Sequence, residues 1–100
     1  MLNMKKAPTA FVCVDDSRAL GICQTLDELG LTVGVDVSVS GYGNTDAGRQ
    51  KNLTTVTYDR KGIGELAVEY LQGHLSGREG ELLTVKTSLL PRVTTGRLIL

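Results

Sequence analysis

Three short polar clusters carry the side chains of this sequence that could bind a ligand. They are Asp15-Asp16, Tyr42-Gly43-Asn44 and Tyr58-Asp59-Arg60. A carboxylate only accepts hydrogen bonds, an amide side chain both accepts and donates them, and a guanidinium can hold an anion with two parallel hydrogen bonds. Such groups suit the recognition of a polar small molecule. Aspartate, asparagine and glycine are also the usual turn residues, so each cluster can instead be a turn or a helix cap.

The sequence contains no pattern of a catalytic or metal site. It has no Gly-rich phosphate loop, no recognised order of serine, histidine and aspartate, and no metal-ligating group at a typical spacing. Its two cysteines, Cys13 and Cys23, have no histidine nearby, which favours reduced cysteines in the core. We therefore predict a binding protein with no cofactor and no bound metal, rather than an enzyme.

Length and charge narrow the class of protein further. The chain has 100 residues, which is enough for one domain at most. Its 11 basic and 11 acidic residues cancel, whereas a segment that grips nucleic acid by itself carries an excess of lysine and arginine. No run of about 18 apolar residues is present, and residues 1–8 lack the apolar run of a signal peptide. We expect a cytoplasmic protein.

The first part of the chain alternates between strand and helix patterns. Residues 10–14 form a continuous apolar run, as in a parallel strand that is covered on both faces. A helix with one apolar face follows, with Asp16 or Ser17 as its N-cap and Gly30 as its stop. Residues 35–40 then alternate between valine and polar side chains, which predicts a second strand.

The second part repeats this order after a polar segment. Residues 44–52 are polar and are predicted to form a loop, and residues 53–58 are rich in residues that favour strands. Apolar side chains within residues 63–75 recur at helical spacing, and Gly77 follows as a helix stop. A last strand is predicted over residues 82–90, which precede a proline.

The order of these elements predicts the fold class. Strands and helices in the order β-α-β-β-α-β imply a layered α/β fold with a largely parallel sheet. In such sheets ligands bind beyond the carboxyl ends of the strands. The three polar clusters lie at those ends, so we expect them to converge on one binding site.

Five segments in the right order resemble the lactose-repressor (LacI/GalR) family of transcription regulators. The similar segments are residues 8–21 ("PTA…ND..ALG" in the family), 30–42 ("GL.VP.DVSVVGFDD"), 53–56 ("LTTV"), 64–77 ("G..A...L…..G") and 89–95 ("LVVRxST"). Each segment alone is a weak match, but five in order at nearly the right spacing form a specific pattern. The resemblance implies a three-layer, parallel-sheet fold of the periplasmic-binding-protein-like type, of which this chain holds a part.

Two other protein classes share features with this sequence. Residues 11–18 also resemble the start of a response-regulator receiver domain, in which an acidic pair holds Mg²⁺ and a later aspartate accepts phosphate. Asp59 has a suitable spacing, but Arg60-Lys61-Gly62 follows it instead of the Met-Pro turn typical of receivers. A periplasmic sugar-binding protein is the second alternative, because it shares the core fold of the LacI/GalR family. A signal peptide upstream would identify such a protein, and a helix-turn-helix upstream would identify a transcription regulator.

The resemblance implies how the chain is divided. Family members carry an N-terminal helix-turn-helix that reads DNA, followed by a two-lobed core that dimerises and binds a sugar or other small effector between its lobes. By this pattern, residues 8–57 lie in the C-terminal lobe, residues 58–90 cross toward the N-terminal lobe and residues 91–100 return and form a tail. The sequence holds no DNA reader, so we expect a fragment or a truncated reading frame of a longer regulator.

The resemblance also implies which residues contact the effector. The position of Asp15 is usually an asparagine that contacts the ligand, and the position of Gly43 is usually an aspartate that binds sugar hydroxyls. Glycine has no side chain for this contact, and Asn44 is the nearest residue that can replace it. Arg60 falls at a pocket position, where it either binds an anionic effector or is solvated at a helix start.

The first helix corresponds to part of the dimer interface of the family. Leu20 and Gln24 are the candidate interface residues, and Leu20 can alternatively be a core residue. The apolar face of the second helix is covered in the family by a lobe that this chain mostly lacks. We therefore expect a homodimer or an oligomer with swapped elements, rather than a stable monomer.

With zero net charge and no recognisable DNA-binding helix-turn-helix, this sequence is not expected to bind DNA specifically. The purified chain should not retain operator DNA in a sequence-specific way in a gel-shift assay at physiological salt. A regulator that carries its helix-turn-helix serves as the positive control. Specific retention by the chain alone would contradict the prediction.

Overall fold

Strands and helices alternate along the whole described chain. The computed structural model describes residues 7–75 and 84–98. Its elements are β1 (Ala10–Val12), α1 (Asp16–Glu28), β2 (Ser38–Ser40), α2 (Asp46–Gln50), β3 (Thr55–Tyr58), α3 (Arg60–Leu75) and β4 (Thr87–Leu90). The predicted α/β class is confirmed. Within the described ranges, no helix combines the length and the apolar character that crossing a membrane requires.

The segment of residues 44–52, predicted to be a loop, contains the short helix α2. The side-chain oxygen of Thr45 caps this helix by accepting a hydrogen bond from the backbone nitrogen of Gly48 at 3.1 Å. Asp46 and Arg49 form an ion pair along it. A helix of five residues with no apolar face gives no periodic signal, so the sequence pattern could not reveal it.

Helix α1 begins one residue earlier than its predicted cap implies. Asp15, rather than Asp16 or Ser17, is the N-cap, and its side chain accepts a hydrogen bond from the backbone nitrogen of Arg18 at 2.8 Å. Asp16 is therefore the first residue of the helix. Gly30 follows the helix with a φ of +79°, which confirms it as the stop.

The sheet that positions the candidate site is parallel. Strands β1 and β2 pair in register, with Phe11 opposite Val39. A further parallel bridge joins Ser40 to Thr54, just before β3, and β3 pairs with β4 in a second two-stranded sheet. The predicted cover on both faces of β1 is not found within the described residues, since Val12 is 89% exposed. Described elements pack against only one side of this strand.

The chain divides into two compact units. The first consists of Met1–Thr57 and Leu89–Leu100, and the second of Tyr58–Ser88. The assignment of these segments to two lobes of a larger core stays a prediction. The predicted helix stop Gly77 and residues 82–83 of the predicted last strand lie outside the described residues.

The core of the first unit lies between α1 and the β1–β2 sheet. Its buried side chains are Ala19, Leu26, Val37, Val39 and Leu53. Cys13 and Cys23 are free thiols that pack against this core, as predicted, and burial raises the pKa of both. Leu20 also packs against the core while remaining half-buried, so the described contacts fit both of its predicted roles.

Candidate functional site

Two of the three polar clusters meet at the carboxyl ends of β1 and β2. The backbone nitrogen of Asp16 donates a hydrogen bond to the carbonyl oxygen of Tyr42 at 3.1 Å. The backbone nitrogen of Gly43 donates to the carbonyl oxygen of Val56 at 2.8 Å, which extends the parallel arrangement beyond β2. Because β1 and β2 run in the same direction, their ends share one edge of the sheet, where ligands bind in folds of this class.

The third cluster begins the second unit. Arg60 is the first residue of α3, and its guanidinium lies over the ring of Tyr58, 4.8 Å from the ring centroid. Asp59 accepts a hydrogen bond from the backbone nitrogen of Gly62 at 3.0 Å, as a helix cap does. Arg60 is exposed, which fits a solvated residue at a helix start. Its place in an effector site stays a prediction.

Both carboxylate oxygens of Asp15 have partners within α1. Oδ1 accepts from the backbone nitrogen of Arg18 at 2.8 Å, and Oδ2 accepts from the Arg18 guanidinium at 2.6 Å. The Asp15 side chain is 41% exposed in this ion pair. Asp15 therefore acts as a helix cap, one of the two roles that its residue type allowed, and still reaches solvent at the sheet edge.

Gly43 and Asn44 form a left-handed bend in the backbone. Their φ angles are +118° and +49°, a region that glycine adopts freely and asparagine tolerates. The backbone nitrogen of Asn44 donates to Thr55 Oγ1 at 3.2 Å, and Asn44 Oδ1 accepts from Arg92 Nη2 at 2.9 Å. Asn44 was predicted to replace the aspartate that the family usually has at position 43. Its side-chain oxygen instead accepts a hydrogen bond from Arg92.

Arg92 is a site residue that the sequence reasoning did not single out. Besides Asn44, its guanidinium binds the carbonyl oxygen of Leu53 at 3.0 Å, and its backbone nitrogen donates to Thr54 Oγ1 at 2.7 Å. Thr94 Oγ1 adds a bond from the backbone nitrogen of Thr54 at 2.8 Å. The closing segment of the chain is therefore fixed to the two residues just before β3. The similarity of residues 89–95 to a family pattern was the one signal that marked this segment.

Asp16 is the second residue that was missed, because the sequence reasoning favoured its neighbour. Its side chain is 0% exposed. Oδ2 accepts from the backbone nitrogen of Thr45 at 2.8 Å and from Thr45 Oγ1 at 2.9 Å, and Oδ1 accepts from Thr55 Oγ1 at 2.7 Å. Burial by itself would raise the pKa of Asp16, but the hydrogen bonds from Thr55 and Thr45 and the charge of Arg92 together lower it. Asp16 is thus a buried, ionised carboxylate.

The Asp16 carboxylate lies against two glycines, Gly41 and Gly48, whose lack of a side chain makes room for it. A Cβ atom at Gly41 would collide with Asp16 Oδ1, and one at Gly48 would collide with Oδ2. Both glycines are buried. Among the described residues, no group of three or more histidine, cysteine, aspartate or glutamate side chains could hold a metal ion. The partners of Asp16 are instead the two threonines, with Arg92 as the cation that lowers its pKa.

The candidate interface residues border a recess elsewhere on α1. This recess has a volume of about 380 Å³. It is lined by Leu20, Cys23, Gln24, Asp27, Val33, Lys51, Val93 and Thr94. Leu20 and Gln24 therefore lie on one surface of the first unit, as the helical spacing required.

Comparisons with known proteins identify the family. The sequence signature of the periplasmic binding protein-like domain matches residues 1–95. The HTH-type transcriptional repressor PurR of Proteus mirabilis is 34% identical over 99 residues, which cover 97% of this chain and 28% of the repressor. The chain therefore spans less than a third of the length of this relative.

Solved structures give the same result. The lac repressor dimer bound to operator and the anti-inducer ONPF superposes with a TM-score of 0.82 at 35% identity, covering 97% of this chain and 35% of that one. A LacI-family regulator of Enterococcus faecium with bound ribose superposes with a TM-score of 0.82 at 25% identity, covering 95% and 37%. The receiver-domain alternative is thereby excluded. The chain belongs to the periplasmic binding protein-like domain family, and within it to the LacI/GalR-type regulators, of whose effector-binding core it forms a part.

Proposed function

We propose that this chain is the C-terminal part of the ligand-binding and dimerisation core of a cytoplasmic LacI/GalR-type transcription regulator that responds to a sugar or a related small molecule. The observation that carries the proposal is the meeting of Asp15, Gly43 and Asn44 at the carboxyl ends of two parallel strands. DNA would be read by an N-terminal helix-turn-helix of the complete regulator. We assign no enzymatic reaction to the chain.

The geometry of the first unit suits binding. Ligand sites need a few polar groups that are held in fixed positions, because ordering mobile groups on binding lowers the affinity. The backbone at Asn44 is fixed by Thr55, and its side chain is fixed by Arg92. The named relative from Proteus mirabilis is a transcriptional repressor, which favours a regulator over a periplasmic sugar-binding protein.

The same residues limit what the chain can bind by itself. Gly43 offers no side chain, and the Oδ1 atom of Asn44 already accepts from Arg92. A polar ligand would therefore find few acceptors on this lobe, and its remaining partners would have to come from the opposing lobe. A site that leaves polar ligand groups without partners loses most of its affinity and discrimination.

Ligand binding can be tested with and without the opposing lobe. Calorimetry of the isolated chain against hexoses, pentoses and purines should show no micromolar binding. A core completed by the N-terminal part of the lac repressor core should bind a member of the panel. Asn44→Ala should weaken that binding by about 1–3 kcal/mol, because the amide side chain that Arg92 holds at the candidate site is lost. A folded, completed core that binds none of these ligands would contradict the proposed function.

An anionic ligand would test Arg60 separately. If an anionic sugar binds the completed core, Arg60→Ala should weaken its binding, because a guanidinium–anion contact is lost. Lys61→Ala is the matched control, since Lys61 is the next basic residue on the same helix and its side chain is 88% exposed. Equal affinity of both variants would remove Arg60 from the site.

The apolar surface of the chain supports a dimer. In the second unit, Ile63, Val68 and Leu71 are 41%, 57% and 55% exposed. Covering such surface gains roughly 25 cal/mol per Å² of apolar area, so a chain that leaves it in water forgoes stability that association would supply. The recess beside Leu20 and Gln24 offers a second apolar surface, on the first unit. We infer that a second copy of the chain covers the surface around Leu20.

Sedimentation equilibrium at low micromolar concentration tests the dimer. Wild-type protein should sediment as a dimer, and Leu20→Asp should shift it toward a monomer because it places a charge in an apolar interface. Leu29→Asp is the control, since Leu29 is the C-cap residue of the same helix and is 60% exposed. A monodisperse wild-type monomer with a sharp cooperative melt would show that the chain closes its own core.

A further inference from the structure

One buried aspartate, Asp16, is connected to three residues of the bend that carries the candidate effector contacts. We call residues 42–45 the effector loop, a name that rests on the function proposed above. We propose that Asp16, which has no access to an effector, is the positioning residue of this loop. It binds Tyr42 through its backbone, Thr45 through its carboxylate, and Asn44 through the hydroxyl of Thr55.

Two hydrogen-bond relays start at the Asp16 carboxylate. In the first, Thr55 Oγ1 donates to Asp16 Oδ1 at 2.7 Å and accepts from the backbone nitrogen of Asn44 at 3.2 Å. In the second, Thr45 Oγ1 donates to Asp16 Oδ2 at 2.9 Å and accepts from the backbone nitrogen of Gly48 at 3.1 Å. Each hydroxyl thus has one donor role and one acceptor role, and both point their protons at Asp16.

The direction of both relays depends on an acceptor-only group. An ionised carboxylate accepts at both oxygens, so both hydroxyls can donate to it and stay open to a backbone N–H. An amide in the same place accepts at one end and donates at the other. In either orientation, the NH₂ group of an asparagine at position 16 would donate to one of the two threonine hydroxyls, which reverses that relay. The backbone N–H that donates to the same hydroxyl, in the loop or in α2, would then compete with the NH₂ group for it.

The loop needs such a support. Asn44 has a φ of +49°. A left-handed conformation costs energy in a residue other than glycine, although less in asparagine than in most, so contacts that fix it stabilise the loop. The space around the carboxylate is closed by Gly41 and Gly48, so the longer side chain of a glutamate would not fit in place of Asp16. The relays therefore specify an aspartate by both charge and length.

Amide hydrogen exchange of the full 100-residue chain tests this inference without any ligand. Asp16→Asn should accelerate the exchange of at least one of the Asn44, Thr45 and Gly48 amides about tenfold, because one buried hydrogen bond is lost. The amides of Cys13 and Val39, which bind Ser40 and Thr94, should keep their rates. Asp36→Asn is the matched control, since its carboxylate accepts from the backbone nitrogen of Thr32 at an exposed turn.

A second pair of variants keeps the test independent of how well Asp16→Asn folds. Thr55→Val preserves the shape of the side chain but breaks the first relay, so it should accelerate Asn44 and leave Thr45 unchanged. Thr55→Ser retains the hydroxyl and should restore the wild-type rate. Unchanged exchange in the loop, or equal acceleration of all amides, would overturn the inference.

The outcome is separate from that of the ligand experiments. If the loop amides respond as expected but no effector binds the completed core, the positioning role stands and the proposed function fails. If an effector binds but the loop amides do not respond to Asp16→Asn, the proposed function stands and the positioning role fails.

Discussion

The carboxylate of Asp16 is fully buried and accepts three hydrogen bonds from two threonines. Burying an ionised group is costly unless its partners replace the water that it loses. The surroundings of Asp16 supply those partners, because Thr45 and Thr55 donate to it and the charge of Arg92 favours its ionised form. Residues from the loop after β2, from α2 and from β3 surround this carboxylate.

Several features that look unrelated in the sequence follow from that constraint. Gly41 and Gly48 lack side chains where a Cβ would collide with Asp16. Thr45 caps a helix of five residues while it donates to the same carboxylate. The left-handed bend at Asn44 is tied to Thr55, the other donor. One buried charge thus links the start of α1, the loop after β2 and the start of β3.

The sequence predicted the elements that have a periodic pattern. Helix α1 lies where the spacing of apolar residues indicated, since burial of one face imposes that spacing. Of the strand predicted over residues 35–40, only Ser38–Ser40 form β2, because residues 34–36 form a turn. Helix α2 was missed because it buries no apolar stripe. The roles of Asp15 and Asp16 were not separable from the sequence, because two adjacent carboxylates are equally suited to cap a helix and only the position of the strands decides which one is buried.

Contacts between distant residues also escaped prediction. Arg92 binds the side chain of Asn44 across 48 positions of the sequence, and Thr54 binds Thr94 across 40. No local propensity encodes such pairs, so only the family resemblance pointed to the closing segment. Val12, on the exposed side of β1, is 89% exposed. The apolar run of residues 10–14 therefore predicted a cover on both faces that the described residues do not supply.

The central role of the Asp16 carboxylate depends on its being ionised in the folded protein. Its pKa can be measured by following the side-chain carboxyl resonance of Asp16 by NMR while the pH is lowered. We expect a midpoint below the ordinary value for aspartate, about 3.9, because the folded state favours the ionised form despite burial. The stability that Asp16 confers would then be present above that ordinary value and would be lost as the pH falls through the lower, folded-state pKa. A midpoint above the ordinary value would show that burial outweighs the hydrogen bonds and would contradict the central role given to this carboxylate.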